Sequence, residues 1–460
     1  MRRPSKSSNG YQIIYERFKT SIEEGTLRPG QRIPSIRALA EELGVAKRTV
    51  EWAFELLNGE GYIDARGARG SFVSAMTASR PRMRKVKPKP LLPDPPPKRS
   101  PFQPGVPAFD AFPLALWRRL GAEAARRQAE ADLPLPGAAG YRPLREAIAS
   151  YVAVSRGFSC APEQIFITSG YPDSLSLLAR AMALKNEKVV VEDPGYFRVP
   201  HILNEEGVAF TPSRATEEGF DKDYFLTNHS DAKALLLTPS HHSPFASSLS
   251  LEARRVLCAW AGRENAWIIE DDYDGEFHYE RKLLPAMKAE DSSDRVIYLG
   301  SFSKTVLPSL RLGYIVAPTA LQPALYRAAE HRSGPAIFPQ QHLARFLAEG
   351  HFLRHLKKMR GLYAKRRAMV VRAIETVFPD ELRVLKRDGG LMVPALLKKP
   401  VNDRRIAAAF RERGIMVPAL SEFRIQESSE PGGLLFGFTN VRSEEEAVTL
   451  LGQAKGILKK

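Results

Sequence analysis

Along the first 75 positions apolar residues recur at helical spacing and then give way to short extended runs. YQIIYERFKTSIEEG has the spacing of one amphipathic helix that stops at Gly25. In IPSIRALAEELGVAKRTVEWAFELL, Ser35 stands as a helix cap ahead of Ile36, Leu39, Ala40 and Leu43, which share one helical face. Gly44 supplies a tight turn, and a further helix follows with Val50, Ala53, Phe54 and Leu57 turned inward. Tyr62-Ile63 and Ser71-Phe72-Val73 read as two short strands around ARGARG. The pattern predicts three helices and a β-wing.

Beyond residue 100 the pattern changes. The apolar runs IFIT, KVVVED, ALLLTP, AWIIEDDY, RVIYLGS and LGYIV alternate with helical stretches. Continuous runs bounded by polar turns suit strands buried on both faces, and their alternation with helices implies a mostly parallel sheet. Between the two patterns lies ASRPRMRKVKPKPLLPDPPPKRSP, rich in Pro, Lys and Arg and without apolar period. It is expected to be an extended linker, partly polyproline II, which at ~3.1 Å per residue would span about 70 Å. The chain is therefore expected to be multidomain: a small α+β module over 10–77, a linker over 78–100 and a large α/β domain over 101–460. No internal repeat is visible.

Composition adds limits rather than a function. At 43% hydrophobic and 26% charged residues the chain resembles an ordinary globular protein. No apolar run approaches the ~18 residues of a membrane helix, and no apolar stretch follows the basic start MRRPSKSSNG. Neither a membrane span nor a secretory signal is expected. Two cysteines, Cys160 and Cys258, support no disulfide framework, so a cytoplasmic location is expected. The net charge is +16, and residues 78–100 alone hold 8 basic and 1 acidic residues. Such a segment suits a polyanion partner through counterion release, or serves as a self-repelling linker.

The N-terminal pattern is that of a winged helix-turn-helix. In such a module the second helix of the pair enters the major groove with its first turn nearest the base edges, which places Lys47, Arg48 and Thr49 there. Arg37 on the preceding helix is placed to reach a phosphate or a base, and Arg66 and Arg69 on the wing to reach the minor groove or the backbone. The combined pattern PSIRALAEELGVAKRTVEWAFELL…GYI…GARGSFV resembles the GntR-type winged helix, which implies binding to double-stranded DNA. Ala46 stands where that family usually places a Ser or Thr cap, a loss of about 1 kcal/mol to the helix.

The stretch SFSKTVLPSLRLGY puts Lys304 between small hydroxyl residues, with Arg311 seven positions on. A lysine forms a Schiff base with an aldehyde cofactor where its surroundings favour the neutral amine. Pyridoxal phosphate further needs a carboxylate for its ring nitrogen, a hydroxyl for its phenolic oxygen, an aromatic face and phosphate donors. Each is available near the end of an expected strand, where open α/β sheets place ligands. Asp271 suits the ring nitrogen, and Tyr273, on the same side of an extended chain, suits the phenolic oxygen. Tyr196 offers the aromatic face, and Ser169, Gly170 and Tyr171 open a helix whose N-terminus suits phosphate. Ser301, Ser303 and Arg311 complete the cup.

Together these segments, with FQPGVPAFDAFPLALWRRL, AGYRPLREAIASYV, TSGYPDSL, EDPGYF and LLLTPSHHSP, resemble the fold-type I pyridoxal phosphate aminotransferases. A GntR-type winged helix, a linker and an aminotransferase-like domain in that order are similar to the MocR/GabR group of transcription regulators. The resemblance implies pyridoxal 5'-phosphate on Lys304, a homodimer, an operator DNA, and an effector that is either the cofactor or an amine sensed through an aldimine. An aminotransferase with an accessory DNA-binding module is the alternative, and a repressor without cofactor a third. No metal site is expected.

Several positions depart from the family pattern. Pro172 stands where a Gln is usual, and it has no N–H to offer a phosphate. Leu135 stands where a tyrosine commonly crosses the dimer interface. SHHSPFA lacks the usual glycine and puts His241 near the cofactor's phenolic oxygen. LLFGF puts Leu435 where transaminases hold an arginine for the substrate carboxylate, with Arg424 as a possible substitute. The parts that recognise an amino donor look altered while the lysine and its ring partners remain. Ligand sensing is expected over turnover.

Overall fold

The computed structural model describes residues 10–75, 100–130, 136–279 and 284–458. The chain divides into two compact units, residues 1–96 and 97–460. Of the linker 78–100, residues 78–99 lie outside the described residues, as does Leu135.

In the first unit, helices α1 (Gly10–Glu23), α2 (Ile36–Leu43) and α3 (Lys47–Gly59) precede the antiparallel pair β1 (Ile63–Ala65) and β2 (Ser71–Val73). The Ser35 hydroxyl accepts the Ala38 N–H at 3.2 Å, closing the first turn of α2. Gly44, at φ +64°, ends that helix in the left-handed conformation that only glycine adopts without strain. Ala46 then opens α3 with no side-chain cap. The helix is held instead by Val50, Ala53, Phe54 and Leu57, which pack with Ile14, Phe18, Leu39, Ile63 and Val73 in one core. Burial of this face does what the missing cap does not.

The second unit is built on an eight-stranded mixed sheet. Its strands are β3 (Ile165–Thr168), β4 (Val189–Asp193), β5 (Phe210–Thr216), β6 (Gly219–Phe220), β7 (Ala234–Leu237), β8 (Trp267–Asp272), β9 (Val296–Ser301) and β10 (Gly313–Val316). They lie in the order β3-β10-β9-β8-β7-β4-β5-β6. β4, β5, β7, β8 and β9 run parallel, whereas β10 is antiparallel to both its neighbours. The six apolar runs seen in the sequence are all strands of this sheet, and β3, β7 and β10 are buried along their whole length. Helices α4 (Leu114–Arg127) and α5 (Arg142–Ser155) precede the sheet, and α6 (Tyr171–Ala181) follows β3. A separate three-stranded antiparallel sheet, β11 (Leu382–Val384), β12 (Met392–Leu397) and β13 (Gly433–Gly437), lies near the C-terminus. No helix among the described residues is long and apolar enough to cross a membrane.

Candidate functional site

The strand ends of the large sheet gather the residues expected around a cofactor. Asp271 is the fifth residue of β8 and is buried. Its neighbour Asp272 faces the other way, as strand alternation requires. There it meets Arg156 at 2.6 Å, both side chains fully buried, and accepts the Tyr298 hydroxyl at 2.6 Å. Arg156 also donates to the Gly275 carbonyl at 2.9 Å and the Ser240 hydroxyl at 3.0 Å. This knot ties the turn after β8 to the loop after β7, and so fixes where Asp271 and Tyr273 stand.

Lys304 lies in the turn between β9 and β10, and its amine donates to the Gly105 carbonyl at 2.6 Å. The Ser301 and Ser303 hydroxyls share a hydrogen bond at 2.8 Å just ahead of it. Arg311 has φ +51°, rare for a residue with a side chain, and its guanidinium donates to the Ser169 carbonyl at 3.0 Å. That bond joins the loop after β9 to the start of α6, where Gly170 (φ +93°) leaves room for the guanidinium: a Cβ would meet Arg311 Nη2 at 3.2 Å. Tyr171 opens α6, and its ring meets the Tyr196 ring edge-on at 5.6 Å. The Ser169 N–H points to the Asp173 carboxylate at 2.6 Å, and Asp173 pairs in turn with Arg332.

His241 Nδ1 lies 2.8 Å from Asp274 Oδ1 and its ring lies 4.4 Å from His278, while its Nε2 has no hydrogen-bond partner among the described residues. In the same loop Ala246 has φ +53°, a left-handed conformation strained for a residue with a side chain. Leu435 is fully buried and packs with Met392 and Phe423. Arg424 is engaged by its own loop, donating to the carbonyls of Glu430 and Pro431 at 3.0 and 3.2 Å.

The electrostatics suit an aldehyde cofactor with a protonated ring nitrogen. Burial pushes the Lys304 amine below the usual lysine range; Asp274 and Asp271 oppose that push and Arg198 adds to it. Burial raises the Asp271 carboxyl well above the carboxylate range, reinforced by Asp272, Glu192 and Asp274. A cation placed against Asp271 would relieve this crowding of negative charge. The Tyr273 hydroxyl is buried with no hydrogen-bond partner among the described residues. A buried hydroxyl ordinarily finds a partner, so this orphan beside the Asp271 carboxyl marks a space for a polar group. The residues present fit pyridoxal phosphate.

Two contributors carried no signal in the sequence. Gly105, from FQPGVP, touches Lys304 only through the fold. Arg198, two residues beyond Tyr196, is exposed, forms no ion pair among the described residues, and acts electrostatically on both Lys304 and Tyr196.

In the first unit, Arg37, Lys47, Arg48, Arg66 and Arg69 are exposed. Thr49 is half-buried, its N–H bonded to the Ala46 carbonyl at 2.9 Å.

A winged helix on one unit and a lysine-centred site on an α/β sheet in the other define a DNA-binding regulator with an aminotransferase-like domain. Comparisons agree. Residues 10–73 match the bacterial regulatory proteins of the gntR family, and residues 114–433 match aminotransferase class I and II. The chain is 34% identical over 435 residues to the HTH-type pyridoxine biosynthesis transcriptional regulator PdxR of Corynebacterium glutamicum, covering 92% of this chain and 91% of that one. It is 32% identical over 451 residues to the probable rhizopine catabolism regulatory protein MocR of Rhizobium meliloti, covering 92% and 89%. Among solved structures, the α-aminoadipate aminotransferase LysN of Thermus thermophilus superposes with a TM-score of 0.69 at 26% identity, over 78% of this chain and 91% of that one. An archaeal alanine:glyoxylate aminotransferase gives 0.73 at 22% over 79% and 91%, a likeness of fold. The chain belongs to the MocR-type transcription regulators, and the cofactor of its large domain is pyridoxal 5'-phosphate.

Proposed function

We propose that Lys304 carries the cofactor covalently and that the occupied site sets how tightly the winged helix holds its operator. The buried, unpartnered Tyr273 hydroxyl, near the Asp271 carboxyl that also acts on Lys304, is the observation that supports this reading best. When bound, pyridoxal phosphate supplies an aldehyde carbon open to amines and a ring able to take up electrons. The chain's part is to hold it. Asp271 would keep a proton on the ring nitrogen, Tyr273 would donate to the phenolic oxygen, and Tyr196 would offer its aromatic face to the ring. His241, through Asp274, orients the far side of the same turn. Ser169, Gly170, Tyr171, Ser301, Ser303 and Arg311 take the phosphate.

The effector is the cofactor itself or an amino compound recognised at the occupied site. Arg198, a cation beside Lys304 and Tyr196 with no ion pair among the described residues, is the group that would receive a carboxylate, because Leu435 sits in an apolar cluster and Arg424 is occupied. A single exposed cation orients a carboxylate weakly, which favours sensing over transamination. The protein acts in the cytoplasm as a homodimer, with Arg37, Lys47, Arg48, Thr49, Arg66 and Arg69 on the operator. Coupling requires two arrangements of the domains that the ligand and the DNA favour differently.

The test is chemical. Protein incubated with pyridoxal phosphate and reduced with borohydride should carry a phosphopyridoxyl group on Lys304, and Lys304→Ala protein none. A label on another lysine, or none at all, would reject the site.

A further inference from the structure

Two of the six residues assigned to DNA lie on aromatic rings of their own unit. The Arg48 guanidinium sits 5.5 Å from the centre of the Trp52 ring, one helical turn further along α3. The Arg66 guanidinium sits 4.9 Å from the Phe72 ring, across the wing. Lys47 differs: its amine lies 3.3 Å from the Glu51 carboxylate, a pair it must loosen to meet a phosphate or a base.

Trp52 is an unusual choice for the solvent face of a helix. It is 47% exposed, and its contact with Tyr11, edge-on at 6.0 Å, holds the ring without covering it. An exposed tryptophan contributes little to the core, which lies on the opposite face with Val50, Ala53, Phe54 and Leu57. Besides Tyr11, its ring contacts the guanidinium of Arg48. A guanidinium stacked over an aromatic face within ~6 Å is held by the ring's negative charge, and it gives up no donor in doing so. Its N–H groups stay free for a further partner.

We infer that Trp52 and Phe72 are positioning residues that hold Arg48 and Arg66 extended toward DNA before contact. This rests on the reading that the first turn of α3 and the wing face the duplex. A long side chain that is already ordered loses less freedom on binding than a free one. An ion pair would order it too, but at the cost of the charge the phosphates and bases require. Asp64, 3.7 Å from Arg66, is a loose exposed pair that leaves most of that charge available.

The experiment uses the full chain, loaded with pyridoxal phosphate, and a duplex selected from a random-sequence pool. Affinities for the selected duplex and for a random duplex are measured for wild type, Arg48→Ala, Trp52→Ala, Trp52→Phe and the Arg48→Ala/Trp52→Ala double variant. Thermal melting of each is followed in parallel. Trp52→Ala should weaken the selected duplex about two- to five-fold, the size of an exposed cation–π contact, and leave the random duplex and the melting temperature nearly unchanged. Trp52→Phe should restore most of the loss. In the Arg48→Ala background, Trp52→Ala should add nothing. Full additivity would show that Trp52 touches DNA itself, and would overturn the inference. So would a loss for Arg48→Ala with none for Trp52→Ala, or an equal loss on both duplexes. If Arg48→Ala itself changed nothing, the placement of α3 on DNA would fall, and the inference with it. Phe72→Leu, which keeps the apolar volume, should match Arg66→Ala by the same logic on the wing; normal affinity would contradict it.

Discussion

The Lys304 amine and the Gly105 carbonyl meet at 2.6 Å, joining the start of the large domain to the turn between β9 and β10. Gly105 has φ +67°, and a Cβ there would stand 2.8 Å from Nζ. Gly105→Ala would therefore both strain the backbone, by about 1 kcal/mol, and push the amine from its place. The expected outcome is attachment of pyridoxal phosphate slowed ten-fold or more with the fold retained. Absorbance after mixing reports the rate and circular dichroism the fold. An unchanged rate would show that the contact is incidental.

Burial holds the Lys304 amine below the ordinary lysine range of ~10.4. Only the neutral amine attacks an aldehyde, so the attachment rate should rise with pH and level off at a midpoint lower than that of an exposed lysine. Asp274 is the foremost charge opposing the shift. Its replacement in Asp274→Asn should move the midpoint further down. Rates measured across about pH 6 to 10 decide the matter; a midpoint moving up would reverse the assigned sign.

Leu435 in its apolar cluster, and Arg424 bound to its own loop, leave Arg198 as the cation facing the lysine. Stoichiometric protein mixed with amino acids should release little keto acid. Arg198→Ala should weaken the spectral response to amino acids by about ten-fold while leaving that to pyridoxal phosphate within two-fold. Rapid multiple-turnover release would promote the enzyme reading, and its loss in Arg424→Ala would restore that arginine as the clamp.

Most strands of the large sheet are legible in the amino-acid pattern. IFIT and ALLLTP read as strands because burial on both faces leaves a continuous apolar run. FTPSRAT does not: β5 is half-buried, polar and interrupted by Pro212, so neither run nor alternation survives. Nor does a run announce its direction, and the antiparallel sense of β10 has no signal. At the site, Lys304, Asp271 and Tyr273 lie in compact motifs that spacing reveals. Gly105 and Arg198 reach the lysine only through packing across the fold. His241 shows a histidine at the right loop, but its bond to Asp274 depends on where the turn after β8 folds back.

If ligand chemistry at Lys304 governs DNA affinity, operator binding with and without the lysine must differ in its response to ligand. Wild type and Lys304→Ala should be titrated against one selected duplex at fixed salt, each with no addition, with pyridoxal phosphate, and with pyridoxal phosphate plus amine. The expected result is a wild-type affinity that changes at least several-fold on ligand addition and a Lys304→Ala affinity that does not change. Equal responses from both proteins, or none from wild type carrying the cofactor on Lys304, would contradict it.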